Sequence, residues 1–400
     1  MRRSLSAAIC SLAISALGFQ SFAASKKTSE HGAAKETPQQ MEEFTRLQIF
    51  LDNANFGPGK IDGHDGTFTR KALALYRQSQ GQPAAPEADA KSKTPPDTSG
   101  LDLQSIQPVF IDYTITEQDA AAVGELPEGP EAQSKVKSLP YGSLAEAIAE
   151  KFHCDLDFLK QLNKGEAEKM KPGQTVKVPN VKPFELAAVK SLKPGVEAEA
   201  LVANELGENG DAAAGGDNAA PQASADSSPK KQDKGSDSAK SEKENSKSAK
   251  NKEKDTEDSN SNAVASTVSV RVSTKESMLE VHAGDKIVAA FPVTVGSSQT
   301  ASPIGDWKVR AIAKLPNFRY DKKMLNEGER SSDFKMLPPG PNNPVGIMWI
   351  ALNKKGIGLH GTNDPDSIGR SASHGCIRLA NWDVVKVAEL VKPGVPVHIE

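Results

Sequence analysis

Aromatic residues are scarce in this chain. Together Phe, Tyr and Trp make 5% of 400 residues, so much of the length has little with which to build a core. An excess of one charge is also missing: 49 Lys and Arg stand against 52 Asp and Glu. That balance excludes the basic surface a nucleic-acid binder needs. No phosphate-cradling glycine loop occurs, so no nucleotide or other cofactor is expected. The mean hydropathy is −0.49, and beyond the N-terminal run no segment approaches the ~20 apolar residues of a membrane span. Cysteine is nearly absent as well, at three residues: Cys10, Cys154 and Cys376.

What is present begins with an address. Arg2 and Arg3 precede an apolar run over residues 5–19, and Ser21-Phe22-Ala23 offers small residues at a cleavage site. This is the pattern of a secretory signal, residues 1–23, cut after Ala23. The expectation is an exported protein of the periplasm or cell envelope. Cys10 would suggest a lipoprotein, but Ile9 before it is not small. Cleavage leaves Cys154 and Cys376, an even count that invites a disulfide in an oxidising compartment. Their settings differ so much that two free thiols, one buried and one reactive, is the preferred reading.

The length implies two or three compact units. In residues 42–81, Phe44, Leu47, Ile49 and Leu51, then Ala72, Leu73, Leu75 and Tyr76, recur at near-helical spacing around a turn-dense loop from Gly57 to Gly66. An EF-hand fails there, because His64 and Gly66 stand where oxygen ligands belong. Residues 82–108 read as a linker, with a strand-like run from Val109 to Ile115 after it. In residues 136–182, Ser143 and Glu146 make a capping box for a helix burying Leu144, Ile148 and Phe152. Asp155 caps a second helix, and Lys171-Pro172-Gly173 turns into a short strand; a first strand is expected near Lys135 to Leu139. Residues 205–262 are Ala, Gly, Ser and interspersed charges, a disordered mixed-charge linker that gives the last unit reach.

Residues 264–400 read as mostly β. Val268, Val270 and Val272 alternate with polar residues. Hairpins are expected for 278–295 and, around Asn353 to Gly356, for 349–360; a helix starts near Asn381 and Asp383. This unit carries HGTNDPDSIGRSASHGCIR, with His360 and Cys376 sixteen positions apart and His374 between them. A thiol is mostly protonated near neutral pH, and a histidine partner makes it a nucleophile. His374, two residues before Cys376, shares its direction in an extended segment, whereas His360 reaches it only through the fold. The Gly361 carbonyl can hold the His360 tautomer as a third triad member does. Gly375 permits close backbone approach, amides of Gly375 and Cys376 can form an oxyanion hole, and Arg378 suits a carboxylate. Two competing readings are a structural cysteine and a zinc site of His360, His374 and Cys376; for the latter no fourth ligand is evident nearby.

Three segments resemble known families. LQIFLDNANFGPGKIDGHDGTFTRKALALYR resembles the small helical peptidoglycan-binding module of wall enzymes, and the helix, helix, PGQTVKVP strand of residues 136–182 resembles LysM. His-Gly, a spacer, then Ser373-His374-Gly375-Cys376-Ile377-Arg378, with Ser302 to Trp307 and Pro339 to Gly346 upstream, is similar to the YkuD-type L,D-transpeptidase signature. The resemblance implies a multidomain chain ending in a mostly-β YkuD-like catalytic domain. It implies Cys376 as nucleophile, His360 as base, Gly361 as its orienter, His374 as support, and Ser373, Gly375 and Arg378 as oxyanion and substrate contacts, with no metal. The implied partners are peptidoglycan stem peptides, glycan strands and carbapenem inhibitors. The implied reaction releases D-alanine from a stem tetrapeptide through a thioester and forms 3→3 cross-links. An L,D-carboxypeptidase that resolves the same thioester with water, and a wall-binding scaffold with a silent catalytic domain, are the alternatives.

Overall fold

A computed structural model describes residues 36–82, 94–195, 268–297, 300–370, 373 and 375–400. The expected signal sequence and mixed-charge linker therefore lie outside the described residues. The first unit is a helical pair, α1 (Pro38–Asn53) and α2 (Thr67–Ser79). Helix α1 begins before the expected 42: Thr37 caps it, exchanging hydrogen bonds with Gln40, and Pro38 supplies the preset φ of a first turn.

The second unit holds β1 (Phe110–Thr114), α3 (Glu117–Ala121), α4 (Gly129–Gln133), α5 (Leu144–Lys151), α6 (Leu156–Leu162) and β2 (Thr175–Pro179). Ser143 and Asp155 cap α5 and α6 as the sequence indicates. The first strand is not at residues 135–139. Strand β1 occupies that role, pairing antiparallel with β2 so that Tyr113 faces Val176. Lys135 and Lys137 flank a lone Val136 and give that stretch little to bury. Leu139, fully buried, instead donates its N–H to Pro339 O at 2.9 Å, in the last unit.

The last unit is built on one eight-stranded sheet. Its strands are β3 (Val268–Ser273), β4 (Met278–Ala283), β5 (Lys286–Pro292), β6 (Gly305–Lys314), β9 (Met348–Leu352), β10 (Gly358–His360), β11 (Ile377–Arg378) and β12 (Pro396–Ile399). Between them, β7 (Phe318–Tyr320) and β8 (Lys335–Leu337) form a separate ribbon around α7 (Lys322–Glu327). The sheet order is β11-β10-β9-β6-β12-β3-β4-β5. Both expected hairpins, β4–β5 and β9–β10, are present, and α8 (Asn381–Leu390) starts where its polar residues indicate. Trp382, Val384, Val387 and Leu390 of α8 join Val270, Leu279, Phe291, Ile350 and Ile377 of the sheet in one core.

The units share their interiors. Ile49 and Ile61 of the first lie in the core of the second with Phe152 and Leu159. Leu47, Leu51, Phe56 and Leu73 pack on Met278, Ile287 and Ala290 of β4 and β5. The described residues from Thr37 onward thus fold as a single compact unit. The apolar faces of the first two units are buried against each other and on the sheet.

Candidate active site

Strands β10 and β11 bring the site together. They run parallel, with Leu359 opposite Ile377 and His360 opposite Arg378. Leu359 and Ile377 are fully buried in the core, so alternation turns His360 and Arg378 to the other face, and Cys376 stands in the bend that enters β11. Arg378 is locked in register by a reciprocal pair of 2.9 Å hydrogen bonds with the Thr294 backbone.

His360 is 4% exposed. Its Nδ1 lies 2.6 Å from Gly361 O. A carbonyl only accepts, so Nδ1 carries the proton and Nε2 keeps a lone pair. Trp349, its neighbour across β9–β10, stacks on the imidazole at 5.2 Å between centroids and 17° between planes. Gly361 has no room for a side chain: a Cβ would sit 2.2 Å from Asn381 Oδ1. The same oxygen accepts from the Ile347 N–H at 3.2 Å.

The cysteine loop is cross-braced. Ser373 N–H donates to Val295 O at 2.8 Å, and Thr300 Oγ1 donates to Ser373 O at 2.9 Å. Ser373 Oγ accepts from the Gly375 N–H at 3.1 Å and donates to Cys376 O. Gly375 holds φ +104°, which glycine adopts readily. Its amide is therefore engaged by Ser373 in this state. Cys376 is a free thiol, half-buried, with Sγ 3.4 Å from Gly356 O. Cys154 is free too, and buried. His374 lies outside the described residues. Among the described residues no three His, Cys, Asp or Glu side chains gather as metal ligands, and no helix is long and apolar enough to cross a membrane.

Burial sets the protonation states. It pushes His360 down to about 4, helped by the Arg378 charge and opposed by the Gly361 hydrogen bond. Burial likewise raises the Cys376 thiol, against the Gly358 amide and Arg378, which favour the thiolate. The resting pair is a neutral imidazole and a thiol. Trp349 was not singled out from the sequence, although the expected hairpin over 349–360 sets it opposite His360. Asn381 was read only as a helix start, because nothing local marks its contact with Gly361.

The fold and site define a sheet-based domain presenting a cysteine and a tautomer-fixed histidine from adjacent parallel strands. Residues 267–399 match the YkuD L,D-transpeptidase catalytic domain. The L,D-transpeptidase homologue YqjB of Bacillus subtilis is 31% identical over 135 residues, 32% of this chain and 69% of YqjB. The homologue YkuD of Bacillus licheniformis is 32% identical over 130 residues, 32% of this chain. The chain spans 64% of the length of that relative. An L,D-transpeptidase structure from Mycobacterium smegmatis aligns at 17% identity over 34% of this chain and 59% of its own, with a TM-score of 0.28, too slight to bear on the fold. The chain belongs to the YkuD L,D-transpeptidase family through its last domain.

Proposed function

We propose that this protein is an exported peptidoglycan L,D-transpeptidase working through a thioester on Cys376. The observation that carries the reading is the His360 Nδ1–H bond to Gly361 O, which leaves Nε2 with a lone pair on the strand beside the one Cys376 leads into. Nε2 takes the thiol proton as sulfur attacks the carbonyl between the L-centre of a diamino acid and a terminal D-alanine. The tetrahedral oxyanion collapses, the C–N bond breaks, and the imidazolium returns the proton to the departing amine of D-alanine. A second diamino acid side chain then attacks the thioester, regenerating the thiol and closing a 3→3 cross-link.

Arg378 stands beside His360 in register, suited to a substrate carboxylate, and its charge favours both neutral imidazole and thiolate. The Cys376 amide, with that of Gly375 once released from Ser373, would bind the oxyanion; His374 would support the site. A carbapenem, as a strained acyl donor, would be captured by the same sulfur. The units over residues 42–81 and 136–182 would grip stem peptides and glycan strands.

Cys376→Ala is expected to lower D-alanine release from a disaccharide-tetrapeptide by at least about 1,000-fold with an unchanged melting temperature. Retained release would remove Cys376 from the mechanism. Dimeric muropeptide among the products marks the transferase; trimmed monomer alone would make the protein an L,D-carboxypeptidase.

A further inference from the structure

The second unit reaches the catalytic histidine through two buried side chains. Glu150 of α5 accepts from Tyr141 Oη at 2.6 Å within its own unit. Across the junction it accepts from Asn381 Nδ2, at 3.1 Å to Oε1 and 3.3 Å to Oε2. Asn381 is fully buried and Glu150 nearly so. The opposite end of the Asn381 amide faces the catalytic loop. Oδ1 accepts from Ile347 N–H and fills the space beside Gly361 and Gly346, where a Cβ would lie 2.2 and 2.1 Å away. Gly361 O is in turn the acceptor for His360 Nδ1.

An asparagine amide has a donor end and an acceptor end, and rotation exchanges them. With the ends exchanged, the Asn381 NH2 would confront the Ile347 N–H, donor against donor, in a space already closed around Gly361. Burial pushes the Glu150 carboxyl up to about 7; as a carboxylate it only accepts and so opposes that exchange, as does Pro341 O, 3.4 Å from Asn381 Nδ2. Tyr141 holds the carboxylate in place. We propose that Glu150, with Tyr141 behind it, is a positioning residue for catalysis: it fixes the orientation of Asn381 and thereby the backbone that sets the His360 imidazole. The second unit is then part of the catalytic apparatus as well as a candidate wall anchor. This inference rests on His360 being the base proposed above.

The test uses the full chain after signal removal, with Glu150→Ala, Glu150→Gln, Tyr141→Phe and His360→Ala. D-alanine release from disaccharide-tetrapeptide gives kcat and KM, and ¹⁵N spectra of labelled imidazoles give the His360 tautomer. Glu150→Ala is expected to lower kcat roughly 10- to 100-fold, as a small misplacement of a catalytic group does, with little change in KM. The His360 signals should move from a single Nδ1–H tautomer toward a mixture. Glu150→Gln, which still offers Oε1 to Asn381, should recover most of both. A folded Glu150→Ala with wild-type kcat and an unmixed tautomer would overturn the proposal. If Glu150→Ala does not fold, Tyr141→Phe decides in its place, expected to lower kcat and broaden the tautomer signature; wild-type values for both would overturn it. Wild-type turnover in His360→Ala would instead defeat the base assignment, while the tautomer spectra still judge the coupling.

Discussion

At the residue scale, the site is governed by a buried histidine that stays neutral. Its pKa is depressed to about 4, first by burial, so the imidazole stays neutral where a free histidine, near 6.5, would already be charged. The acid limb of kcat/KM, which reports the free enzyme, should therefore fall as pH approaches about 4 and not near 6.5. A limb at 6.5 that His360→Ala removes would show the ring to be solvated. The linkage has a definite sign: the unfolded chain binds this proton below 6.5 and the native chain only near 4, so stability falls as pH drops through that window, by about 3 kcal/mol at most. The proposed pair of Cys376 and His360 stands out in the sequence because two reactive side chains at fixed spacing are each flanked by glycine. Trp349 was missed, although the hairpin register held the signal. The Ser373–Gly375 bond had no such signal, since only the folded loop shows which atoms an amide at φ +104° meets.

At the scale of elements, β3 and the hairpins β4–β5 and β9–β10 were readable, because Val268, Val270 and Val272 alternate and the hairpins carry turn residues between apolar runs, whereas β6, β11 and β12 were not read. The second unit was read with its first strand too late. The strand-like run from Val109 to Ile115 contains β1, but it was left outside the unit because its partner β2 lies more than sixty residues on. The apolar Leu139 that suggested a strand serves the junction with the loop before β9. Gly340 there holds φ +149°, and a Cβ on it would lie 2.1 Å from Leu139 O. Asn342 Nδ2 donates to Pro140 O at 2.8 Å and to Glu146 Oε1 at 2.9 Å. Gly340→Ala is therefore expected to cost about 2–4 kcal/mol, since backbone cannot yield as a side chain does. Thermal unfolding of the variant checks this; an unchanged midpoint would show that the junction opens freely.

At the scale of the whole molecule, the units depend on one another in a way the sequence hides. The linking pairs are separated by up to 334 positions, as in the bond of Lys386 Nζ to Asp52 O, and no local pattern announces such contacts. His153 bonds Asp52 at 3.0 Å and stacks on Trp382, so all three units meet at one buried polar cluster. Deleting residues 37–195 would strip Met278, Ile287 and Ala290 of their cover and leave the Asn381 amide without Glu150. The isolated catalytic domain should melt at least roughly 5 °C lower than the full chain and lose activity even on a soluble tetrapeptide. Equal melting points and equal soluble activity would mean that the units merely touch.

The central claim is acyl transfer through Cys376 with His360 as base. Its most direct test is the intact-protein mass of residues 24–400 after incubation with a carbapenem, and then with a disaccharide-tetrapeptide. The account predicts one covalent drug adduct that disappears in Cys376→Ala, and release of D-alanine from the peptide by the unmodified protein. No adduct together with no D-alanine would contradict it, and would leave a wall-binding scaffold with a silent thiol.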